Sequence, residues 1–221
     1  MIRSLQPEVM LRYRGIAAWG DYFTPEGRHP DDLFDKRIFN QKPWSVIGST
    51  GLHPGYSFPE DQRYPSVESL VHKLITIVSV GGTFQLGFGP GPDGKFDPAA
   101  VMIMEQIGDW LRINGEGIYA TRPRMVFREG ERIRFTRSKD RKTVYAISMN
   151  WPGNDLTLES VRAVPGSEIH LLGVDEPLNW YQHDKGLVIE IPPSLQDAQN
   201  RPCEHAYVFK IKAQHVMEQD Y

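Results

Sequence analysis

The texture of the chain changes at Arg122-Pro123, and that change limits what it can fold into. On the carboxy-terminal side lie short β-branched or alternating runs at 125–127, 133–137, 143–149, 156–160, 168–172, 187–191 and 207–211. Turn residues separate them, for example Pro152-Gly153-Asn154 and Asp184-Lys185-Gly186. Regular short strands punctuated in this way predict a β-sandwich. The amino-terminal side reads strand, long loop, helix, strand, helix, an alternation expected of a parallel sheet or barrel. A complete barrel needs about 250 residues, roughly twice what precedes the change. The expected fold is therefore α/β plus all-β: the C-terminal part of a (β/α)8-type barrel at 1–122, then a β-sandwich domain at 123–221.

Within the first part, Val9-Met10-Leu11-Arg12-Tyr13 reads as a short buried strand after the turn at Gln6-Pro7. Residues 15–65 are rich in Gly, Pro, Asp and aromatics and have little periodicity. A loop of that length inside a compact domain is most often functional. A helix is expected over 66–79, with Ser66 as N-cap, Glu68 at the positive end of the dipole and an apolar stripe of Val67, Leu70, Val71, Leu74 and Val78. Gly81-Gly82 stops it, and 83–88 is the next strand. A second helix begins with Asp97 as N-cap and Pro98 in the first turn, where a missing N–H costs nothing. Its stripe is Val101, Met104, Gly108 and Leu111, and Asn114-Gly115 closes it.

A formal net charge of -3 with 40% hydrophobic residues describes a globular chain. Neither nucleic acid nor a membrane is an expected partner, because no basic cluster stands free of acids and no apolar run could span a bilayer. The basic stretch 128–142 is interrupted by Glu129, Glu131 and Asp140 and reads as a solvated face. One cysteine, Cys203, allows no intrachain disulfide, and no Asn-x-Ser/Thr acceptor occurs. The start carries no signal-peptide apolar region, which leaves the compartment undetermined if the chain is a fragment.

Several chemistries are unsupported. Gly87-x-Gly89-x-Gly91 with Gly94 looks like a phosphate loop, but Pro90 and Pro92 have no N–H to offer and no Lys-Ser/Thr follows; a tight exit turn is expected instead. The seven histidines show no metal-ligand spacing. There is no Gly-x-Ser-x-Gly elbow. The better candidate is Gly20-Asp21-Tyr22-Phe23-Thr24-Pro25-Glu26, in the long loop soon after a strand, where barrel enzymes hold catalytic groups. A carboxyl beside aromatics can have its pKa raised by desolvation, which suits a general acid, so Glu26 is the candidate and Arg14 stands twelve residues before it.

Four blocks carry a resemblance. They are Gln6-Pro7-x-Val9 with Arg14; the Gly20–Glu26 block; Gly81-Gly82-Thr83-Phe84-Gln85-Leu86-Gly87-Phe88-Gly89-Pro90 with Asp93-Gly94; and Trp110-Leu111-x-x-Asn114-Gly115-Glu116-Gly117-Ile118-Tyr119 with Thr121-Arg122-Pro123. In that order and spacing the chain resembles the α-L-fucosidases of glycoside hydrolase family 29, strongly over about residues 5–123 and more weakly beyond. The resemblance implies a catalytic (β/α) barrel followed by a β-sandwich and retaining hydrolysis of terminal α-L-fucose from fucosylated oligosaccharides or glycoconjugates; no cofactor is expected, and the histidine spacing gives no metal. It makes Glu26 the acid/base and Arg14 a fucose contact near the nucleophile. The nucleophile, an Asp on the preceding barrel strand, would lie before Met1 and is absent here, as are the sugar-holding residues of earlier strands.

Trp19 and Trp44 are candidate stacking surfaces, with a core role equally open for Trp44. Two departures bear on the pocket: Trp44-Ser45 stands where many members have Trp-Glu, and His53-Pro54-Gly55-Tyr56 puts Pro54 where they have an aromatic. The missing N-terminal half, or self-association, is the expected protein partner of half a barrel. The alternative reading is a non-catalytic carbohydrate-binding or assembly module built mainly on the sandwich.

Overall fold

In the computed structural model of the chain, residues 2–13, 20–24, 43–49 and 64–214 are described. Chain order in the first part is a one-turn helix α1 (Ile2–Leu5), β1 (Arg12–Tyr13), β2 (Tyr22–Phe23), β3 (Trp44–Ser49), α2 (Val67–Ser79), β4 (Gly82–Gly87) and α3 (Pro98–Asn114). The four strands make one sheet in the order β1-β2-β3-β4, and every neighbouring pair is parallel. The stretch expected to be one long loop thus contains two strands, β2 and β3. The strand expected from Val9 is shorter, only Arg12–Tyr13.

Both long helices start where their capping chemistry predicts. Ser66 Oγ accepts from Ser69 N–H at 3.2 Å, and Asp97 Oδ1 accepts from Ala99 N–H at 2.9 Å. Gly81 ends α2 with φ +84°, a conformation that favours glycine, and its N–H donates to Val78 O at 2.9 Å. Helix α2 is buried on two sides. Val67, Val71 and Ile75 face the second part of the molecule, while Ile77 packs with Trp44 and Val46 of β3.

The stripe expected on α3 is displaced around the helix. Ala100, Trp110 and Asn114 are buried, with Ile103, Ile107 and Leu111 partly buried beside them. Val101 and Met104 are exposed instead, at 37% and 36%. An amphipathic helix with two adjacent apolar rows can bury either, and the position of α2 and the second part selects this one.

The second part has eight strands: β5 (Arg122–Glu129), β6 (Ile133–Arg137), β7 (Thr143–Ser148), β8 (Asp155–Leu158), β9 (Ile169–Leu171), β10 (Trp180–His183), β11 (Gly186–Glu190) and β12 (Tyr207–Lys212). A five-stranded sheet runs β5-β6-β7-β12-β9 and a three-stranded sheet β10-β11-β8, with every pairing antiparallel. Strand β10 was not anticipated, because its Trp-Tyr-Gln-His lacks the apolar alternation of its neighbours. The inner faces of both sheets share one core, in which Phe135, Ala146 and Phe209 meet Leu158, Leu187 and Ile189. Each large side chain buried there contributes about 1.5–3 kcal/mol. One polar knot ties the sheets at an edge: Glu129 accepts from the backbone N–H of Glu159 and Ser160 at 2.9 and 2.7 Å, and Arg124 donates to Ser160 Oγ at 2.7 Å.

A separate cluster joins the two parts. Val71, Ile75 and Trp110 pack against Tyr145, Ile147 and Val208. Trp110 Nε1 donates to Ala206 O at 2.9 Å, and His72 Nε2 lies 2.8 Å from His205 O. No described helix is long and apolar enough to cross a membrane.

Candidate functional site

The two strands beneath the candidate residues are neighbours. Arg12 pairs with Tyr22 and Tyr13 with Phe23 in a parallel ladder of β1 and β2. Arg14 is the residue after β1, Trp19 immediately precedes Gly20, and Glu26 follows β2 by three positions. All three lie outside the described residues, as does the 53–56 block. Their anchoring strands end side by side, and in parallel β/α folds the carboxyl ends of the strands hold the site.

The Gly20–Glu26 block is bonded to β1 at both ends of its described part. Asp21 N–H donates to Leu11 O at 2.7 Å, and its carboxylate accepts from Leu11 N–H at 2.7 Å and from Arg3 Nη2 at 2.6 Å. Thr24 Oγ1 accepts from Arg12 Nε at 2.5 Å. These two side chains give the Asp and the Thr of the block structural roles that sequence spacing did not signal.

The faces of the sheet follow from strand alternation. Trp44 and Val46 pack with Ile77 of α2, and Phe23 joins that cluster, so this face looks toward the helix. The residues between and beside them point the other way: Arg12, Tyr22, Ser45, Ile47, Thr83 and Gln85. That face is polar in five of six positions, unlike the packed interior expected of a purely structural sheet. Ser45 Oγ is buried on it and has no hydrogen-bond partner among the described residues. Trp44 is 5% exposed and belongs to the core; a Cβ added to Gly82 would fall 2.4 Å from its ring. It is not a stacking surface.

The Gly89–Gly94 segment behaves as a turn. Gly91 N–H donates to Lys95 O at 2.7 Å and Gly94 N–H to Gly91 O at 2.9 Å, so these donors are spent internally. Among the described residues no three of His, Cys, Asp and Glu converge as a metal cluster.

The Asn114-Gly115-Glu116-Gly117 block is a junction between the two parts. Glu116 Oε1 accepts from Tyr145 Oη at 2.9 Å and faces Lys210 Nζ at 2.7 Å. Burial alone would raise the Glu116 pKa, but the hydrogen bonds from Lys210 and Tyr145 and the charge of Lys210 outweigh it, and the carboxyl is held below its ordinary value. Burial pushes the Tyr145 phenol well up, and Glu116 adds to that. Gly117 O accepts from Thr136 Oγ1 at 2.7 Å, and a Cβ at Gly117 would meet Val208 at 2.7 Å. Cys203 is half-buried at the same junction; burial raises its thiol pKa, and Asn114 Nδ2 donates to its Sγ at 3.3 Å.

Comparison with known proteins gives a consistent picture. Residues 2–116 match the family described as alpha-L-fucosidase, and residues 129–212 the alpha-L-fucosidase C-terminal domain. The chain is 35% identical over 197 residues to the tissue alpha-L-fucosidase of Homo sapiens, covering 87% of this chain and 41% of that protein. It is 30% identical over 201 residues to the alpha-L-fucosidase of Branchiostoma floridae, covering 87% and 42%. Among solved structures, a bacterial fucosidase with a triazole inhibitor aligns over 100% of this chain and 51% of its own, with TM-score 0.79 and 20% identity. The Thermotoga maritima alpha-fucosidase aligns over 95% and 47%, with TM-score 0.75 and 23% identity, and both structures show the shared fold. The chain spans less than half the length of these curated relatives.

Proposed function

Because the chain belongs to the α-L-fucosidase family, we propose that it is the acid/base-bearing half of a retaining glycosidase that releases terminal α-L-fucose from fucosylated oligosaccharides or glycoconjugates. The observation that carries this reading is the family match over 2–116, which includes the whole Gly20–Glu26 block, together with the parallel pairing of the two strands that lead to Arg14 and Glu26. Retaining hydrolysis needs two carboxyl groups about 5–5.5 Å apart. Glu26 protonates the leaving oxygen and then activates water. The nucleophile comes from chain outside these 221 residues, as does most of the sugar pocket. Arg14 and Trp19 contact the fucose.

Residues 1–122 are then the closing portion of a (β/α)8-type barrel and 123–221 a β-sandwich domain, a division supported by the separate family matches at 2–116 and 129–212. The protein partner is the amino-terminal half of such a barrel. The 221-residue chain alone should turn over no aryl α-L-fucoside at a useful rate, since general acid catalysis contributes only about 10²–10⁴-fold while enzymes reach about 10⁶-fold or more.

The test restores an amino-terminal half by fusion or co-expression and compares Glu26 with Glu26→Gln. Turnover of substrates with poor leaving groups should fall by about 10²–10⁴-fold, activated leaving groups should suffer less in the first step, and azide should rescue the second. An equal, small loss for every leaving group without azide rescue would remove Glu26 from the acid/base role. Arg14→Ala should weaken sugar binding for all leaving groups alike.

A further inference from the structure

The parallel sheet is open at both ends. Its four strands run in chain order, and among the described residues β1 and β4 each pair on one side only. A free strand edge invites further pairing. Each edge also has an uncovered apolar flank. Beside β1, the one-turn helix α1 buries none of its residues; Ile2, Leu5 and the following Met10 are exposed, Leu5 at 79%. One turn does not hold itself helical in water, and the ion pair of Arg3 with Asp21 ties it to the sheet. Beyond β4, Phe96 is exposed and α3 turns out Val101, Met102 and Met104. The sandwich holds other rows of α3, through Ile103, Ile107 and Trp110, and leaves this one free. The flanks also differ in charge: Glu105 stands exposed one turn after Met102, and Arg3 stands exposed between Ile2 and Leu5.

What fits each flank is the other. Apolar side chains beside a carboxylate meet apolar side chains beside a guanidinium, and the free edge of β4 meets the free edge of β1 in the parallel sense that the sheet already has. The flanks lie at opposite edges, so such a contact is head to tail and either closes or runs on. Four parallel strands are half of the eight that close a (β/α) barrel. We propose that two copies of this chain associate head to tail into one eight-stranded parallel barrel, with α3 and β4 of each copy seated on α1 and β1 of the other. The row of Arg12, Tyr22, Ser45, Thr83 and Gln85 then faces the inside. Closure leaves no free edge. In a reconstituted glycosidase the amino-terminal half takes these flanks instead. The pairing of copies goes beyond that reading and does not depend on the role of Glu26.

The experiment is light scattering coupled to size exclusion on the purified 221-residue chain. The expected mass is that of two chains, and it should not grow further as concentration rises. Met102→Asp and Leu5→Asp each place a charge in one flank, at an exposed position, and each variant should show the mass of one chain. A mixed pair keeps one seam, α3 of the Leu5→Asp copy on α1 of the Met102→Asp copy, so mixing the two at high concentration should recover the two-chain mass. Hydrogen exchange in β4 should be slower in the wild type than in either variant, because pairing protects its outer edge. Amide shifts of β12, in the sandwich, report that each variant is folded. Where an Asp variant is not, Met102→Gln or Leu5→Gln takes its place. A wild-type monomer, growth beyond two chains, a dimer that survives either variant, no recovery on mixing, or equal β4 exchange in all forms would overturn the proposal. A monomeric wild type whose reconstituted enzyme still depends on Glu26 as acid/base would refute only the pairing of copies.

Discussion

The antiparallel part and the parallel part of this molecule solve the problem of burial differently. Among the described residues, the two antiparallel sheets share a cluster of seventeen buried side chains, while the cluster centred on the parallel sheet has three, Trp44, Val46 and Ile77. The antiparallel sheets face each other, so each supplies the other's cover. The parallel sheet is covered by α2 on one face, presents a mostly polar row on the other, and has β1 and β4 as its edges. Beside it, α3 turns Val101, Met102 and Met104 outward, at 37%, 53% and 36% exposure. An apolar row of that kind marks a surface suited to a further element. Among the described residues, the antiparallel sheets bury each other, while the parallel sheet is buried by α2 on one face.

The comparison can be broken or sharpened. The largest effect is expected from Phe209→Ala, which opens a cavity in the shared core of the two sheets; it should cost about 3–5 kcal/mol in denaturant melts followed by near-UV circular dichroism. A cost no greater than that of a surface substitution would refute a self-sufficient core there. Next is Gly82→Ala, whose new methyl would fall 2.4 Å from the Trp44 ring; overpacking of this kind costs about 1–3 kcal/mol. Hydrogen exchange should then quicken in β3 and β4 and stay slow in β7 and β12, whereas equal loss in both would show the two parts to be one cooperative unit. In limited proteolysis of the wild type, the resistant core should begin near Pro123; first survival of 1–122 would reverse the comparison.

The smallest effect belongs to the junction. The Glu116 carboxyl is held below its ordinary value of 4.5, so its contribution is present above that value and fades as pH falls toward the lowered one. Melts in that window should show Glu116→Gln losing part of the acid sensitivity. The change should be below about 1 kcal/mol, because the pair with Lys210 is half-exposed. An unchanged acid limb would mean that the contact only shapes the interface.

What local chemistry decides was legible in the sequence. Ser66 and the Asp97-Pro98 pair announced the starts of α2 and α3, because a cap needs only its own turn. The shift from helix-strand alternation to short runs announced a parallel sheet followed by antiparallel ones, and the order of the Gly-rich and aromatic blocks pointed to the family that residues 2–116 match. Strands β2 and β3 stayed hidden: the two residues of β2 have no period, and the six of β3 pair in parallel with partners distant in sequence. The sequence reading put the apolar stripe of α3 on Val101, Met104, Gly108 and Leu111, whereas the seating of Trp110 against Ala206 buries the row beside it and leaves Val101 and Met104 exposed. Trp44 read equally well as a sugar platform or as core until Gly82 was found beneath its ring. The bond from Arg12 to Thr24 has no signature in spacing, because it exists only once two strands lie side by side. Sequence determines what each segment can do alone; contacts between segments depend on which surfaces the whole chain brings within reach.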